Sequence, residues 1–413
     1  MIVCKFGGSS VADISTAKNI KTIINMNDNR RFIIVSALGK NSRFHKKVTD
    51  ELYECFFIYQ YNKQTAKELF LKVVEKYENL TNDLNIKLNL AHIKSEILNC
   101  IDEGKITKEY LVSRGEYLSA LIYAKYLNIE FLDAKDYIIF NQNGVFNYKA
   151  TQKRLKSLDV TKKYCIGGFY GATKSGEIKI FSRGGSDITG AIIAKALNCE
   201  LYENYTDVDG VYNKNPNIFT SAINLPFLNY KTACQMAEAG NEVVHKTALF
   251  LLKDTNTILI VKNTKNLNTF GTVLVCSDYL FNDVYLCVAN LTVIKTKYVT
   301  KDTLQNLKHC AEIKKVILDN DFYYILISEL YITKDKIYSI VDAESVCDAN
   351  LFSIFCNVKL NKKCIKILTK IQKILKNKAF FAKFLSFNNN FIILCNKENA
   401  KDIVLILNKH LQK

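Results

Sequence analysis

The first two thirds of the chain alternate short, continuously apolar runs with longer amphipathic stretches. The apolar runs predict strands that end at Phe6 or span 31–37, 163–168, 177–181 and 200–205. The amphipathic stretches predict helices over 11–24, over 50–101, from Leu111 onward and over 189–197. Apolar strands that take turns with helices indicate a parallel sheet covered on both faces. We therefore expect an α/β fold, a three-layer αβα sandwich with a mainly parallel sheet.

The tail of the chain has a different pattern. Alternating short strands and helices are predicted over 285–296, 301–312, 316–318, 323–328, 351–360, 364–376, 391–396 and 400–410. All 16 glycines and both prolines lie at or before Gly271, so only the first part needs special backbone geometry. We predict a boundary near 276–285, with one domain over 1–280 and an α+β region over 281–413.

Two glycine pairs each follow a predicted strand and precede a predicted helix. One pair follows Lys5 and Phe6, and the other lies between Arg183 and Asp187. Glycines let a ligand approach the backbone closely, and a helix N-terminus offers free N–H groups to an anion. Lys5 beside such groups predicts a phosphate cradle. The opposite charges of Arg183 and Asp187 suit a zwitterion, or a carboxylate beside a phosphate.

Three polar residues fall at the carboxyl ends of predicted strands, namely Lys5, Ser36 and Arg183. Open parallel sheets bind their ligands at these ends. Glu116 is expected near the start of the helix from Leu111, where the helix dipole would stabilise its anionic form. The polar loop 206–216 follows another strand and could hold the base and ribose of a nucleotide.

Charge, hydropathy and cysteine content bear on three kinds of function: nucleic-acid binding, membrane association and metal binding. The net charge is +17, but the lysines are scattered, so we expect no nucleic-acid binding. No apolar run reaches the roughly 18 residues of a membrane span, so we expect no membrane association. The 13 cysteines and 5 histidines form no ligand-like cluster. This pattern predicts reduced cytoplasmic thiols and no protein metal site.

Five motifs carry a resemblance to a known family. They are Lys-Phe-Gly-Gly-Ser-Ser (5–10), Val-Ser-Ala (35–37), Ser-Arg-Gly-Glu (113–116), Ser-Arg-Gly-Gly-Ser-Asp (182–187) and Thr-Asp-Val-Asp-Gly-Val-Tyr (206–212). In this order and spacing they resemble the aspartate kinases, which have the amino-acid kinase fold, over about residues 1–275. The tail has the length of the pair of ferredoxin-like ACT regulatory domains that such kinases carry.

The resemblance implies an enzyme that phosphorylates the side-chain carboxylate of L-aspartate with ATP and Mg²⁺, the first step towards lysine, threonine and methionine. It implies a homodimer formed through the C-terminal region. The catalytic residues it implies are Lys5, Glu116, Arg183 and Asp187. The nucleotide-binding residues would be Lys5, Gly7, Gly8, Ser9, Thr206, Asp207, Tyr212 and Lys214. The aspartate-binding residues would be Ser36, Thr49, Glu116, Phe169, Arg183, Ser186 and Asp187.

Some segments depart from the family pattern. Asn217 stands where the family has an Arg that contacts nucleotide phosphates, so we expect Lys214 to substitute. Glu242 stands where many members have Lys, which predicts weaker ATP affinity. The tail turns 300–303 and 361–364 lack the Gly of ACT effector sites. We therefore predict weak or absent feedback inhibition by lysine or threonine.

Two other hypotheses remain open from the sequence. Another kinase of the same fold, such as a glutamate, acetylglutamate or uridylate kinase, is one; the motifs at 113–116 and 182–187 and the tail favour aspartate. A catalytically inactive regulator or nucleic-acid binder is the other. Retention of the charged residues Lys5, Glu116, Arg183 and Asp187 argues against it.

Overall fold

The computed structural model describes residues 1–181, 184–219, 221–241, 243–276, 284–319, 321–330, 334–356, 362–375, 379, 381–385 and 390–411. The chain divides into two compact units. The first comprises Met1–Val211, Leu225–Cys234 and Val243–Asp278, and the second comprises Tyr212–Asn224, Gln235–Glu242 and Tyr279–Lys413. The predicted boundary at residue 280 stays a prediction, and two segments that precede it, 212–224 and 235–242, group with the second unit.

The elements before residue 277 follow the predicted alternation. The strands are β1 (Ile2–Phe6), β2 (Arg30–Val35), β3 (Glu130–Leu132), β4 (Ile139–Phe140), β5 (Tyr164–Gly167), β6 (Tyr170–Thr173), β7 (Ile178–Ile180), β8 (Leu201–Thr206), β9 (Phe227–Asn229), β10 (Ile258–Asn263) and β11 (Thr272–Val275). The helices are α1 (Ile14–Met26), α2 (Val48–Tyr59), α3 (Lys63–Asp83), α4 (Ala91–Asp102), α5 (Lys108–Leu127), α6 (Ala134–Tyr137), α7 (Tyr148–Leu155), α8 (Gly185–Ala196), α9 (Tyr230–Glu238) and α10 (Lys246–Leu252). A single 3-10 turn, Gly8–Ser10, follows β1.

An eight-stranded sheet forms the centre of the first unit, in the order β3-β5-β2-β1-β8-β10-β11-β9. Its neighbouring strands run parallel except for β10 and β11. A smaller sheet has the order β4-β6-β7. The expectation of a mainly parallel sheet is confirmed, and the carboxyl ends of β5, β2, β1, β8 and β10 lie along one edge.

The two faces of β1 are covered by different helices. Ile2, Cys4 and Phe6 belong to a core cluster with α1, α2, α3 and α5. Successive strand side chains point to opposite faces, so Lys5 points to the other side, where α8 packs against β1 and β2. This arrangement gives the expected three layers, and it directs Lys5 towards α8.

Helix boundaries differ from the predictions in two places that matter for the site. Helix α5 begins at Lys108, so Glu116 lies in its middle, and the expected stabilisation of its anion by the helix N-terminus is wrong. Helix α8 begins at Gly185, four residues before the predicted start, so the second glycine pair forms the helix N-terminus itself. The stretch 50–101, expected to be helical throughout, forms three helices, with breaks at 60–62 and 84–90. At the first break the side chain of Asn62 accepts a hydrogen bond from Thr65 N at 3.0 Å and caps α3.

The second unit contains a six-stranded sheet with antiparallel pairing. Its elements are β12 (Val284–Thr296), α11 (Lys301–Cys310), β13 (Ala311–Asp319), β14 (Phe322–Leu330), α12 (Lys334–Ile337), β15 (Ala343–Cys356), α13 (Lys362–Ile374), β16 (Phe381–Leu385), β17 (Asn390–Asn396) and α14 (Lys397–Leu411). The strand order is β13-β14-β12-β15-β17-β16. β12 and β15 pair over nearly their whole length, and each continues into one half of the sheet. The two expected ACT-like repeats therefore share their central strands. No helix in the described ranges is long and apolar enough to span a membrane.

Candidate active site

Lys5 and Asp187 form a buried ion pair at the carboxyl edge of the large sheet. Lys5 Nζ lies 2.7 Å from Asp187 Oδ1, and the two side chains are 11% and 10% exposed. Lys5 reaches Asp187 because it points to the α8 face of the sheet, and Asp187 lies in the first turn of α8. The two residues predicted from separate glycine motifs thus meet in one place.

Asn204 completes this cluster, although sequence reasoning did not single it out. It lies opposite Lys5 in the β1–β8 register and is fully buried. Its Oδ1 accepts from Lys5 Nζ at 3.4 Å, and its Nδ2 donates to Asp187 Oδ1 at 3.2 Å. The other Asp187 oxygen accepts from the backbone N–H of His245 at 2.9 Å, at the start of α10. Asp187 is therefore held from three sides.

The first glycine turn is packed backbone against backbone. A Cβ on Gly8 would lie 2.9 Å from the carbonyl oxygen of Ala37, and a Cβ on Gly39 would lie 2.5 Å from the carbonyl carbon of Gly8. Gly39 N–H donates to Gly8 O at 2.9 Å. Ser9 lies in the same turn, whose first N–H groups have no intrahelical partners. The turn after β1 therefore presents backbone donors beside Lys5.

The second glycine turn opens α8. Gly184 caps the helix with a φ of 77°, a left-handed conformation that favours glycine. A Cβ there would also lie 2.6 Å from the His245 ring. Ser186 follows in the first turn and is buried. Arg183, the predicted ligand of the aspartate carboxylate, lies outside the described residues, and so does Glu242.

Glu116 is buried, with 4% of its surface exposed, and its Oε2 has no hydrogen-bond partner in the part of the chain that the structure describes. Burial raises its pKa to about 8, against the opposing effects of a hydrogen bond from Ala37 N–H and the charge of Arg114. Ala37 follows β2, so the Glu116 carboxyl group lies at the same sheet edge as Lys5. A buried carboxyl oxygen without a donor suits a cationic group of a ligand.

Phe169 has an unusual backbone conformation in the loop between β5 and β6. Its φ is 76°, which is uncommon for a residue with a side chain. The conformation is held by two hydrogen bonds, from Phe169 N to Thr189 Oγ1 at 3.1 Å and from Phe181 N to Phe169 O at 2.8 Å. A Cβ on Gly185 would lie 2.6 Å from the Phe169 ring, so this loop lies against the start of α8.

The remaining predicted residues lie at three places. Ser36 lies beside the end of β1, because its N–H donates to Phe6 O. The start of α2, which carries Thr49, is tied to the same loop by a hydrogen bond from Val48 N to Leu38 O. Thr206 ends β8, and Asp207 after it is exposed. Tyr212 and Lys214 belong to the second unit. There Lys214 Nζ donates to Ser221 Oγ at 3.2 Å, and burial lowers its pKa.

Comparisons with known proteins agree with this geometry. The sequence profile described as "Amino acid kinase family" matches residues 1–263. Aspartokinase 3 of Bacillus subtilis is 30% identical over 315 residues, which cover 73% of this chain and 69% of that protein. Aspartokinase 2 of Arabidopsis thaliana, a chloroplast protein, is 29% identical over 300 residues, which cover 66% of this chain and 54% of that protein. The chain thus spans between half and about two thirds of these relatives.

Solved structures show the same fold. The aspartate kinase of Clostridium acetobutylicum has a TM-score of 0.75 and 27% identity, over 99% of this chain and 100% of that one. Aspartokinase III of E. coli, solved with aspartate and ADP, has a TM-score of 0.78 at 18% identity and covers both chains fully. The predicted resemblance is confirmed: the chain belongs to the amino acid kinase family and, within it, to the aspartokinases.

Proposed function

We propose that this chain transfers the γ-phosphoryl group of ATP to the side-chain carboxylate of L-aspartate, giving 4-phospho-L-aspartate and ADP. The observation that carries the proposal is the Lys5–Asp187 pair between two glycine turns at the ligand-binding edge of a parallel sheet. Such an edge suits a phosphate end and an amino acid side by side.

Each reactant has matching groups on this chain. The backbone N–H groups of Gly8 and Ser9 and the charge of Lys5 suit the β- and γ-phosphates, and Lys5 would offset charge that develops during transfer. The N–H of Gly7 already donates to Tyr205 O at 3.1 Å, so Gly7 would serve by letting the phosphates approach the backbone closely. Glu116, once ionised, and Asp187 suit the substrate ammonium. The accepting carboxylate is already a nucleophile, so the reaction needs positioning more than a general base.

Several other parts of the proposal follow from the family. We expect Arg183 to bind the α-carboxylate of aspartate and Ser36, Thr49, Phe169 and Ser186 to line its pocket. Thr206, Asp207, Tyr212 and Lys214 would hold the nucleotide. Mg²⁺ would arrive with ATP, since it commonly keeps water and phosphate ligands. In the described ranges no three metal-binding side chains cluster.

The assay is ADP release from ATP and L-aspartate, with the acyl phosphate trapped by hydroxylamine as aspartyl hydroxamate. We expect hydroxamate and ADP to form in equal amounts.

Lys5→Met should lower kcat by about 10²- to 10³-fold, the usual effect of removing a group that stabilises transition-state charge. Lys18→Met, at an exposed position of α1, is the matched control. ADP formation with glutamate, acetylglutamate or UMP, but not aspartate, would overturn the assignment.

A homodimer through the C-terminal region is the second part of the proposal. The outer strands β13 and β16 end the six-stranded sheet, and an edge strand can pair with another chain. The chain has a mass of 47.2 kDa, so sedimentation equilibrium should report twice this value. A concentration-independent mass of 47.2 kDa would exclude the dimer. The predicted cytoplasmic location stays a prediction.

A further inference from the structure

A polar cavity of about 170 Å³ lies in the first unit, away from the glycine turns. It is lined by α4, α5, the start of α6 and the segment that joins β6 to β7, and it is open to solvent on one side. Four charged residues line it, and they are Glu96, Arg114, Asp133 and Lys135. At roughly 30 Å³ per water, the volume suits a ligand of a few heavy atoms.

Arg114 is the most unusual residue of this cavity. It is 5% exposed, and its guanidinium lies between two tyrosine rings, 4.5 Å from the centroid of Tyr110 and 4.4 Å from that of Tyr117. It donates from Nη2 to Ser113 Oγ at 3.0 Å and from Nε to Tyr110 O at 3.3 Å. Across the described part of the chain, no carboxylate lies within ion-pairing distance of it. Burying a guanidinium without a partner anion costs folding free energy, so an anionic group of a ligand that reached Arg114 would be bound favourably.

The two acidic groups of the cavity are not equivalent. Asp133 is fully engaged, because it accepts from Tyr170 OH at 2.8 Å and Lys135 N at 3.1 Å and lies 3.4 Å from Lys135 Nζ. Glu96 is exposed and accepts from Tyr110 OH through Oε1. Arg114 and Glu96 are thus one cation and one anion without a full charge partner.

We propose that this cavity binds a small zwitterionic α-amino acid, with its carboxylate on Arg114 and its ammonium at Glu96. The lining has two positive and two negative groups, so a ligand of zero net charge leaves the cavity balanced, whereas a simple anion does not. Because Nε and one Nη2 hydrogen are engaged with Tyr110 and Ser113, the carboxylate would bind the guanidinium end-on, at Nη1 and the second Nη2 hydrogen.

The cavity is separate from the proposed aspartate site. Arg114 and Glu116 are two residues apart on α5, which places them about 200° apart around the helix axis. Glu116 reaches the end of β2, and Arg114 points to the side of β6 and β7. A ligand of the cavity would still contact the helix that carries Glu116, so binding could be coupled to aspartate affinity.

Titration calorimetry on the full chain tests the proposal with three small probes: glycine, acetate and methylammonium. Glycine carries both charges, and each of the others carries one. We expect saturable binding of glycine and at least about tenfold weaker binding of acetate and methylammonium. Acetate binding as tightly as glycine would overturn the zwitterion assignment. No saturable amino-acid binding up to roughly 50 mM would overturn the site.

Variants locate the binding event. Arg114→Gln and Glu96→Gln should each weaken glycine binding at least about tenfold. Arg154→Gln, at an exposed position of α7, is the matched control and should bind as the unmodified chain does. Glu116→Gln should also retain binding, because Glu116 belongs to the other site. Loss of glycine binding in Glu116→Gln but not in Glu96→Gln would place the ligand in the aspartate site and refute the proposal. Since Glu96 is exposed, Glu96→Gln keeps this test valid if Arg114→Gln does not fold.

Discussion

Glu116 is a carboxyl group in a position where water cannot solvate its charge. Its pKa of about 8 means that the free protein carries it largely protonated at neutral pH. The proposed contact with the substrate ammonium requires the ionised form. The residue therefore couples substrate binding to the release of a proton.

We predict that kcat/KM for aspartate rises with pH up to about 8 and then levels off. Below that pKa the slope should approach tenfold per pH unit, because only the ionised fraction binds the ammonium. Glu116→Gln should lower kcat/KM and abolish this rise. A pH–rate profile with the same rise in both proteins would show that another group controls binding.

The same carboxyl group should lower the stability of the protein as pH rises from 4.5 to about 8. Its folded pKa lies above 4.5, the value of an unperturbed Glu, so between pH 4.5 and about 8 the folded state holds a proton that the unfolded state has released. Stability therefore falls as pH rises through this window. We expect Glu116→Gln to melt at a higher temperature than the unmodified chain at pH 8, with the difference shrinking towards pH 5. Glu68→Gln, at an exposed position of α3, should show no such trend.

Asn204 is predicted to position the Lys5–Asp187 pair. Asn204→Leu keeps the number and branching of the side-chain heavy atoms but removes both hydrogen bonds, each of which joins a charged group. We expect kcat to fall roughly ten- to hundredfold, with a smaller change in KM for aspartate. Asn99→Leu, at an exposed position of α4, is the control. A lowered melting temperature with unchanged kcat would mean that Asn204 acts only in folding.

The sequence identified Lys5, Glu116 and Asp187 because each lies in a glycine-containing motif. It could not identify Asn204, which lies in an ordinary strand and gains its place only from the pairing of β1 with β8. The sequence also placed Glu116 too close to the helix start. The polar residues before Leu111 did not indicate that α5 begins at Lys108, so the burial of Glu116 in the middle of the helix was not predicted. Burial and pairing are three-dimensional properties that one sequence does not display.

At the scale of elements, the turn after β1 and the loop after β2 interlock through Gly8 and Gly39. We predict that Gly39→Ala destabilises the protein and lowers activity, because its Cβ would lie 2.5 Å from the carbonyl carbon of Gly8 and 2.6 Å from Ser9 N. These are backbone atoms, so the phosphate turn itself must shift. We expect a loss of about 2–4 kcal/mol in unfolding free energy and a raised KM for ATP.

The control is Gly144→Ala, where a Cβ meets nothing within 4 Å but the φ of 79° is unfavourable. It should cost about 1 kcal/mol and leave the KM for ATP unchanged. Equal effects of the two substitutions would contradict the interlocking.

Strong apolar runs allowed the strands β1, β2, β5 and β8 to be predicted within about two residues, because parallel strands are buried on both faces. The tail was predicted less well. The helix expected over 301–312 ends at Cys310, and the next two residues begin β13. Strand β16 (Phe381–Leu385) was missed, since its mixed sequence has no clear alternation.

At the scale of the whole molecule, the tail bears on regulation. Thr300 caps α11 by accepting from Thr303 N at 3.1 Å, with extended backbone at φ −104°. The other predicted turn begins at Asn361, which lies outside the described residues. We predict that lysine and threonine at roughly 10 mM change activity less than about twofold, whereas ordinary allosteric coupling gives about 5- to 150-fold. The assay is hydroxamate formation with and without each amino acid, and strong inhibition by lysine would refute the prediction.

The shared central strands of the six-stranded sheet couple the stability of its two halves. β12 and β15 contribute hydrogen bonds to both halves, so neither half can open without withdrawing support from the other. One residue inserted into either strand would also reverse which face every later side chain takes, on both sides of the midline. Evolution can therefore remodel the outer strands and helices of each half separately, but the middle pair only for both at once.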